Sequence, residues 1–261
     1  MRILRADIDL ESFYRSLERS PRRLLMLDYD GTLAPFCAQR DQAVPYPGVR
    51  AALDEVLCAR RTRVVIISGR ALADLLPLLG LRQPVELWGS HGIERRHANG
   101  DAQTAELDPK ALRGLADADS WVESAGLGPY AESKPGCLAL HWRGMPADDA
   151  AALRTRALES WSPLALAHGL DLRDFDGGLE LRTPSRSKAS AVRTLLEEEK
   201  EAVPAAYLGD DQTDEDAFGA LQGRGLRVLV RPELRPTAAD LWLQPPEELL
   251  EFLAHWQGGA R

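Results

Sequence analysis

A chain of 261 residues with 44% hydrophobic and 28% charged residues can bury a sizeable core in one large domain or two, which excludes wholesale disorder. A net charge of -8 and a pI near 5.3 exclude broad nucleic-acid binding, because affinity for a phosphate backbone rests on clustered Lys and Arg. The densest basic group, Arg60, Arg61 and Arg63, reads as the solvated end of a helix.

In chain order, Leu10, Phe13, Tyr14 and Leu17 share the spacing i, i+3, i+4, i+7 and predict a first helix that ends before Pro21. Residues 24–27 form a continuous apolar run, the mark of a strand buried on both faces of a parallel sheet, and lead directly into Asp28-Tyr29-Asp30-Gly31. Beyond the turn residues Pro45, Pro47 and Gly48, a second helix is predicted through Val49, Ala52, Leu53, Val56 and Leu57. A second strand at 64–67 ends in Ser68-Gly69-Arg70, followed by a helix with Leu72, Leu75, Leu76 and Leu79 and a third strand at 85–88. Strand and helix alternating in this way predict an α/β fold with a doubly wound, Rossmann-like sheet.

From about Asp108 the rhythm changes. A helical stretch with Leu112 and Leu115 is followed by residues 137–142, whose alternation puts Leu138, Leu140 and Trp142 on the inner side of a half-buried strand. A helix through Leu153, Ala157, Leu158 and Trp161 comes next, then paired strands at 170–173 and 179–182 about Asp176-Gly177-Gly178. Two helices on a small antiparallel sheet make an inserted α+β cap over 108–181, between core segments 1–107 and 182–261. The core then resumes with a helix carrying Ala191, Val192, Leu195 and Leu196 and a strand at 205–208 that ends in Gly209-Asp210-Asp211. Thr213 is placed to cap the next helix, with Asp214, Glu215 and Asp216 in its first turn; a strand at 226–230 and a last helix opened by Pro246 complete the chain.

Cys37, Cys58 and Cys137 are sparse, odd in number and without metal-site spacing, which points to a reducing compartment. The first nine residues lack the apolar run of a secretory signal, and no stretch reaches 18 apolar residues. A cytoplasmic protein engaging neither membrane nor nucleic acid is expected; its oligomeric state is left open, a monomer being the simplest.

Open α/β sheets bind ligands beyond the carboxyl ends of their strands, where Asp28 with Asp30, Ser68, and Asp210 with Asp211 fall. Any one of these aspartates reads as a turn former. Brought together, they would repel one another unless a cation lay between them, and hard oxygen donors suit Mg²⁺. Asp28 is the candidate nucleophile and Asp30 the candidate general acid and base. Ser68 and the Gly69 amide can donate to a phosphoryl oxygen, although such a serine is more commonly a helix N-cap. Lys188, after Pro184, Ser185 and Ser187, can offset the charge of a phosphate and of Asp28, or simply be solvated.

Asp28-Tyr29-Asp30-Gly31-Thr32-Leu33, Ser68, Lys188 and Gly209-Asp210-Asp211 with Asp214, in that order, resemble the four motifs of the haloacid dehalogenase superfamily of phosphatases. The resemblance implies that the insertion between the second and third motifs is a cap closing over the site. Within the superfamily the chain is most similar, over nearly its whole length, to the trehalose-6-phosphate phosphatase family. That similarity is carried by Ser68-Gly69-Arg70, Gly89-Ser90-His91-Gly92-Ile93-Glu94, Glu132-Ser133-Lys134, His141-Trp142-Arg143, Gly178-Leu179-Glu180-Leu181-Arg182 and Gly209-Asp210-Asp211-Gln212-Thr213-Asp214-Glu215. It implies hydrolysis of trehalose 6-phosphate to trehalose and phosphate through a phosphoryl group carried on Asp28, with Asp30 as acid and base. It further implies Mg²⁺ held by Asp28, the Asp30 backbone carbonyl and Asp210, with Asp211 and Asp214 behind them, and Glu132, Lys134, Glu180, His91 and Arg143 at the sugar. Read without the resemblance, Glu132, Lys134 and Glu180 form an exposed charged strand face, and His91 is as readily a structural hydrogen-bonder as a ligand contact. Ala189 departs from the family's Lys-Gly and bears on the loop geometry there. Three other readings use the same residues: hydrolysis of sucrose 6-phosphate or a mannosyl or glucosyl phosphoester, a sugar phosphate mutase, and a catalytically silent sensor or synthase partner. Against the last stands the full set of motif aspartates.

Overall fold

Apolar runs buried on both faces need helices on both sides of their sheet, and the chain supplies them in alternation. The computed structural model describes residues 1–257 apart from 38, 176, 185 and 200, and only the backbone at 40. The turn expected at Asp176 and the turn residue Ser185 lie outside the described residues. First come β1 (Arg2–Ile3), α1 (Leu10–Arg19), β2 (Arg23–Leu27), α2 (Val49–Cys58), β3 (Thr62–Ile67), α3 (Leu72–Leu79), β4 (Glu86–Gly89), β5 (Glu94–Arg96) and β6 (Ala102–Thr104). Next are α4 (Pro109–Ser124), β7 (Ala131–Lys134), β8 (Cys137–His141), α5 (Ala147–His168), β9 (Asp171–Phe175) and β10 (Gly178–Arg182). Last are α6 (Lys188–Glu198), β11 (Ala205–Gly209), α7 (Gln212–Leu221), β12 (Leu226–Val230), β13 (Leu241–Leu243) and α8 (Glu247–Ala254). These form two compact units, one of Met1–Gln103 with Ser187–Arg261 and one of Thr104–Arg186.

The first unit is built on a sheet of order β1-β13-β12-β11-β2-β3-β4-β5-β6. From β13 to β4 neighbouring strands are parallel; β1 and β5 run antiparallel to the strands they join. Leu25, Leu27, Val64, Ile66 and Leu208 face one helical layer with Leu53, Leu75 and Phe252, while Leu24, Met26, Val65, Ile67 and Tyr207 face the other with Val192, Leu195 and Phe218. The chain steps outward from β2 through β3 to β4 and returns to β11 on the other side of β2. The reversal between β2 and β11 is where a ligand crevice opens in such sheets.

Three local expectations are corrected in this unit. Arg63 is not at a solvated helix end: α2 stops at Cys58, and Arg63 lies in β3 with ion pairs to Glu86 (2.8 Å), Glu198 (2.6 Å) and Glu199 (3.2 Å). The cap of α7 is Asp211, one residue before the helix, whose carboxylate accepts the Gln212 amide at 2.6 Å. Thr213 lies inside the helix. Ser68 caps no helix either, since α3 begins only at Leu72 and the Ser68 hydroxyl accepts the Arg70 amide at 3.1 Å.

The second unit is an antiparallel sheet of order β7-β8-β10-β9. Leu138, Leu140, Leu179 and Leu181 pack with Ala118 and Val122 of α4 and Ala157 and Trp161 of α5. The opposite face of β8 is buried too, contrary to a half-buried strand. Its residues there, Cys137 and Ala139, are small and lie between longer side chains, Ala139 being in register with both Glu132 and Glu180. Among the described residues no helix is long and apolar enough to cross a membrane.

Candidate active site

Adjacent parallel strands deliver two aspartates to one place. Leu27 pairs with Leu208 in register, so that Asp28 and Asp210 follow at the carboxyl ends of β2 and β11, with Ser68 beyond β3. Asp28, Asp210 and Asp214 are all buried, and each presents a carboxylate oxygen within 4.8 Å of the others. Lys188, in the first turn of α6, enters this cluster with its Nζ 2.7 Å from Asp28 Oδ1 and 2.8 Å from Asp214 Oδ1. Ser187 caps that helix, which fixes the lysine's starting point despite Ala189.

The three acids differ in electrostatic state. Burial pushes the Asp28 carboxyl up to about 7, with Lys188 offsetting part of the effect and Asp214 and Asp30 adding to it. Burial, then the charges of Asp28 and Asp214, raises Asp210 well above the ordinary range. Burial also acts to raise Asp214, but Lys188, the Tyr207 hydroxyl at 2.6 Å and the Asp211 amide at 3.0 Å outweigh it and hold this carboxyl below its ordinary value. Lys188 loses charge stability to burial and regains more from Asp214 and Asp28, so its pKa is raised and it remains cationic.

Asp214 is therefore satisfied by the protein, whereas Asp210 is not. At 1% exposure, neither oxygen of the Asp210 carboxylate has a hydrogen-bond partner among the described residues. Its backbone is fixed: the amide donates to Asp214, and the carbonyl accepts from Arg235 at 3.1 Å and Arg231 at 3.3 Å. Gly31, at φ +81°, leaves room for the carboxylate, since a Cβ there would lie 2.2 Å from Asp210 Oδ2. A buried carboxylate held in place without a partner is costly unless a cation meets it, and Asp28 beside it offers the same hard oxygen chemistry. The residues fit a cation held by Asp28 and Asp210.

Asp30 faces elsewhere within the same unit. Its two oxygens accept from Arg70, Oδ2 from Nε at 2.7 Å and Oδ1 from Nη2 at 2.6 Å. Ser68 is buried, and Gly69 lies directly under the His91 ring, where a Cβ would come within 2.6 Å of His91 Cε1. Ser90 and His91 both adopt left-handed backbone, φ 48° and 54°, a conformation costly for residues other than glycine. It is held by the Ser90 amide on the Arg70 carbonyl (2.7 Å) and the His91 amide on the Ser68 carbonyl (3.0 Å). His91 thus belongs with Ser68 and Gly69.

In the second unit, Lys134 Nζ is 3.3 Å from Glu132 Oε2 and 4.0 Å from Glu180 Oε1. His141 Nε2 lies 2.9 Å from Glu132, the Cys137 thiol donates to Glu180 at 2.9 Å, and Arg182 is 3.6 Å from Glu180. Glu180 is buried at 5% exposure, so these charges are not an exposed strand face. Arg143 lies past the end of β8 against Gly177. The sequence assigns no role to Tyr207, Arg70, Arg235, His141 or Cys137; Arg70 and His141 carry a signal, as part of Ser68-Gly69-Arg70 and His141-Trp142-Arg143.

The trehalose-phosphatase family model matches residues 26–243, a span that takes in all the clustered residues above. The chain is 32% identical over 250 residues to "Probable trehalose-phosphate phosphatase 4" of Oryza sativa subsp. japonica, covering 90% of this chain and 66% of that protein, slightly under two thirds of its length. Its structure resembles the C. albicans trehalose-6-phosphate phosphatase C-terminal domain with a TM-score of 0.80 at 23% identity, covering all of both chains. A haloacid dehalogenase-like hydrolase from B. subtilis matches with a TM-score of 0.61 at 16% identity, over 89% of this chain and 98% of that one, which shows a shared fold. With a family model spanning both β2 and β11 and this fold beneath it, the chain belongs to the trehalose-phosphatase family.

Proposed function

We propose that this protein hydrolyses the phosphate monoester of trehalose 6-phosphate to trehalose and inorganic phosphate, using Mg²⁺ held by Asp28, Asp210 and the Asp30 carbonyl. The observation that carries the reading is the Asp210 carboxylate, buried beside Asp28 with neither oxygen hydrogen-bonded among the described residues. The family membership supplies the substrate class. When bound, the ion neutralises charge on the phosphoryl oxygens.

An Asp28 carboxylate oxygen attacks phosphorus; the bond from phosphorus to the sugar oxygen breaks, and that oxygen takes its electron pair and a proton from the Asp30 carboxyl. Water then attacks the phosphorus of the aspartyl-phosphate, giving a proton to the Asp30 carboxylate as the bond to Asp28 breaks and phosphate leaves. Lys188 keeps the Asp28 plane fixed and supplies a positive charge as the phosphoryl group arrives. The Ser68 hydroxyl and Gly69 amide donate to a phosphoryl oxygen, and His91 packs beside them. Asp214, held by Tyr207, anchors Lys188, and Asp211 starts the helix that carries Asp214. Glu132, Lys134, Glu180 and Arg143 bind sugar hydroxyls, making the Thr104–Arg186 unit the cap. Three free thiols accord with a cytoplasmic setting.

The test is phosphate release from a panel of disaccharide and monosaccharide phosphates, with and without Mg²⁺. Metal-dependent release, greatest for trehalose 6-phosphate, is expected; preference for another ester, or migration of phosphate without release, would replace this reading.

A further inference from the structure

A proton donor in phosphoryl transfer must be aimed as well as present. Asp30 is 29% exposed at its side chain and follows the end of β2, so packing alone does not fix its rotation. Arg70 does. One edge of its guanidinium, Nε and Nη2, is committed to the two Asp30 oxygens, at 2.7 and 2.6 Å, in the paired geometry that fixes a carboxylate's plane as well as its place. Arg70 is itself anchored: it is 5% exposed, its amide donates to Ser68 Oγ, its carbonyl accepts the Ser90 amide, and its guanidinium lies 5.8 Å above the Tyr29 ring. Tyr29 in turn donates its hydroxyl to the Ala43 carbonyl at 2.7 Å. A continuous chain of fixed groups, Ala43 to Tyr29 to Arg70 to Asp30, thus ends at the carboxyl proposed to deliver the proton.

We infer that Arg70 is a positioning residue for Asp30, its planar fork setting the direction in which that carboxyl meets the leaving oxygen. The inference rests on the reading of Asp30 as the proton donor. Lysine cannot take the place of Arg70, because an ammonium makes point contacts and cannot hold both oxygens in one plane. The role is needed in proportion to how poor the leaving group is. A sugar alkoxide requires the proton, whereas p-nitrophenolate departs without it.

The experiment measures single-turnover release of the leaving group from trehalose 6-phosphate and from p-nitrophenyl phosphate, for wild type, Arg70→Gln, Arg70→Lys and Asp30→Asn. Both Arg70 variants are expected to slow sugar release about a hundredfold, as a misplaced catalytic group does, and nitrophenolate release by no more than about threefold. Equal losses on both substrates would make Arg70 a phosphate-binding or merely structural cation and overturn the inference. So would recovery of sugar release in Arg70→Lys, which also stays informative if Arg70→Gln does not fold. Selective loss in Asp30→Asn without it in Arg70→Gln overturns the role of Arg70 alone; equal losses in Asp30→Asn remove the donor role of Asp30 and this inference with it.

Discussion

Tyr207 donates its hydroxyl to Oδ1 of Asp214 at 2.6 Å, the same oxygen that Lys188 holds at 2.8 Å. Burial, then the charges of Asp214 and Asp28, raises the Tyr207 phenol well above its ordinary value, so it stays a donor throughout the working pH range. A strand residue on the α6 and α7 side of the sheet thereby reaches the acid cluster and lowers the cost of keeping Asp214 ionised.

Tyr207→Phe keeps the ring and its edge contact with Phe218 but removes one donor to a buried charge. Stability should fall by about 1.5–3 kcal/mol, the usual worth of a hydrogen bond to a charged group, as read from urea denaturation of the metal-free protein. An unchanged midpoint would mean that Lys188 and the two amides satisfy Asp214 unaided.

Gly31→Ala tests the fit of the Asp210 carboxylate. The substitution strains a backbone at φ +81° and brings a methyl group to 2.2 Å from Oδ2, so Asp210 must move. Calorimetric Mg²⁺ affinity should weaken by about tenfold or more, the lower end of the loss when groups around a metal ligand are disturbed. Wild-type affinity in this variant would show that Asp210 does not hold the ion.

What could be read in the sequence follows the range of the forces involved. Residues 24–27, 64–67 and 205–208 were legible as strands because helices on both faces of a parallel sheet demand continuous apolar runs, and the motif residues follow directly at their ends. β1, β5, β6 and β13 have two or three residues each, too few to show a period, and were not anticipated. Alternation in residues 137–142 picked out Leu138 and Leu140 correctly but misjudged the other face, because the neighbours that bury Cys137 and Ala139 come from β7 and β10. The pairs Arg70–Asp30 and Arg235 with Asp210 join residues 40 and 25 positions apart, set by strand order, which no local spacing encodes.

Glu198 links α6 to the sheet through Arg95 and Arg63. The Arg95 contact, opposed by burial and reinforced by Arg63, holds its carboxyl at about 2, below the ordinary 4.5. A lowered folded-state value gives stability that is present above about 4.5 and is lost as pH falls through about 2. Glu198 is substantially exposed, so screening reduces the effect: Glu198→Gln should cost about 1 kcal/mol at pH 7. Urea titrations should show the gap narrowing below pH 4.5. They should also show it narrowing in high salt. A gap independent of pH would assign the cost to packing.

The Asp28 carboxyl behaves in the opposite sense. Burial raises it from 3.8 to about 7 against the pull of Lys188, so between those values the folded protein holds a proton that the unfolded chain has released. Stability contributed by this group therefore falls as pH rises through that window. In Asp28→Asn the titration is gone, and turnover should be lost with it. Melting curves of the metal-free proteins should show wild type losing ground to the variant between about pH 4 and about pH 7, by a few kcal/mol at most. Mg²⁺ needs the carboxylates ionised, so added metal should raise the wild-type melting temperature more at pH 8 than at pH 5, and that of Asp28→Asn little at either. Parallel pH curves for the two proteins, or equal Mg²⁺ shifts, would mean that Asp28 neither titrates in this buried cluster nor binds the ion.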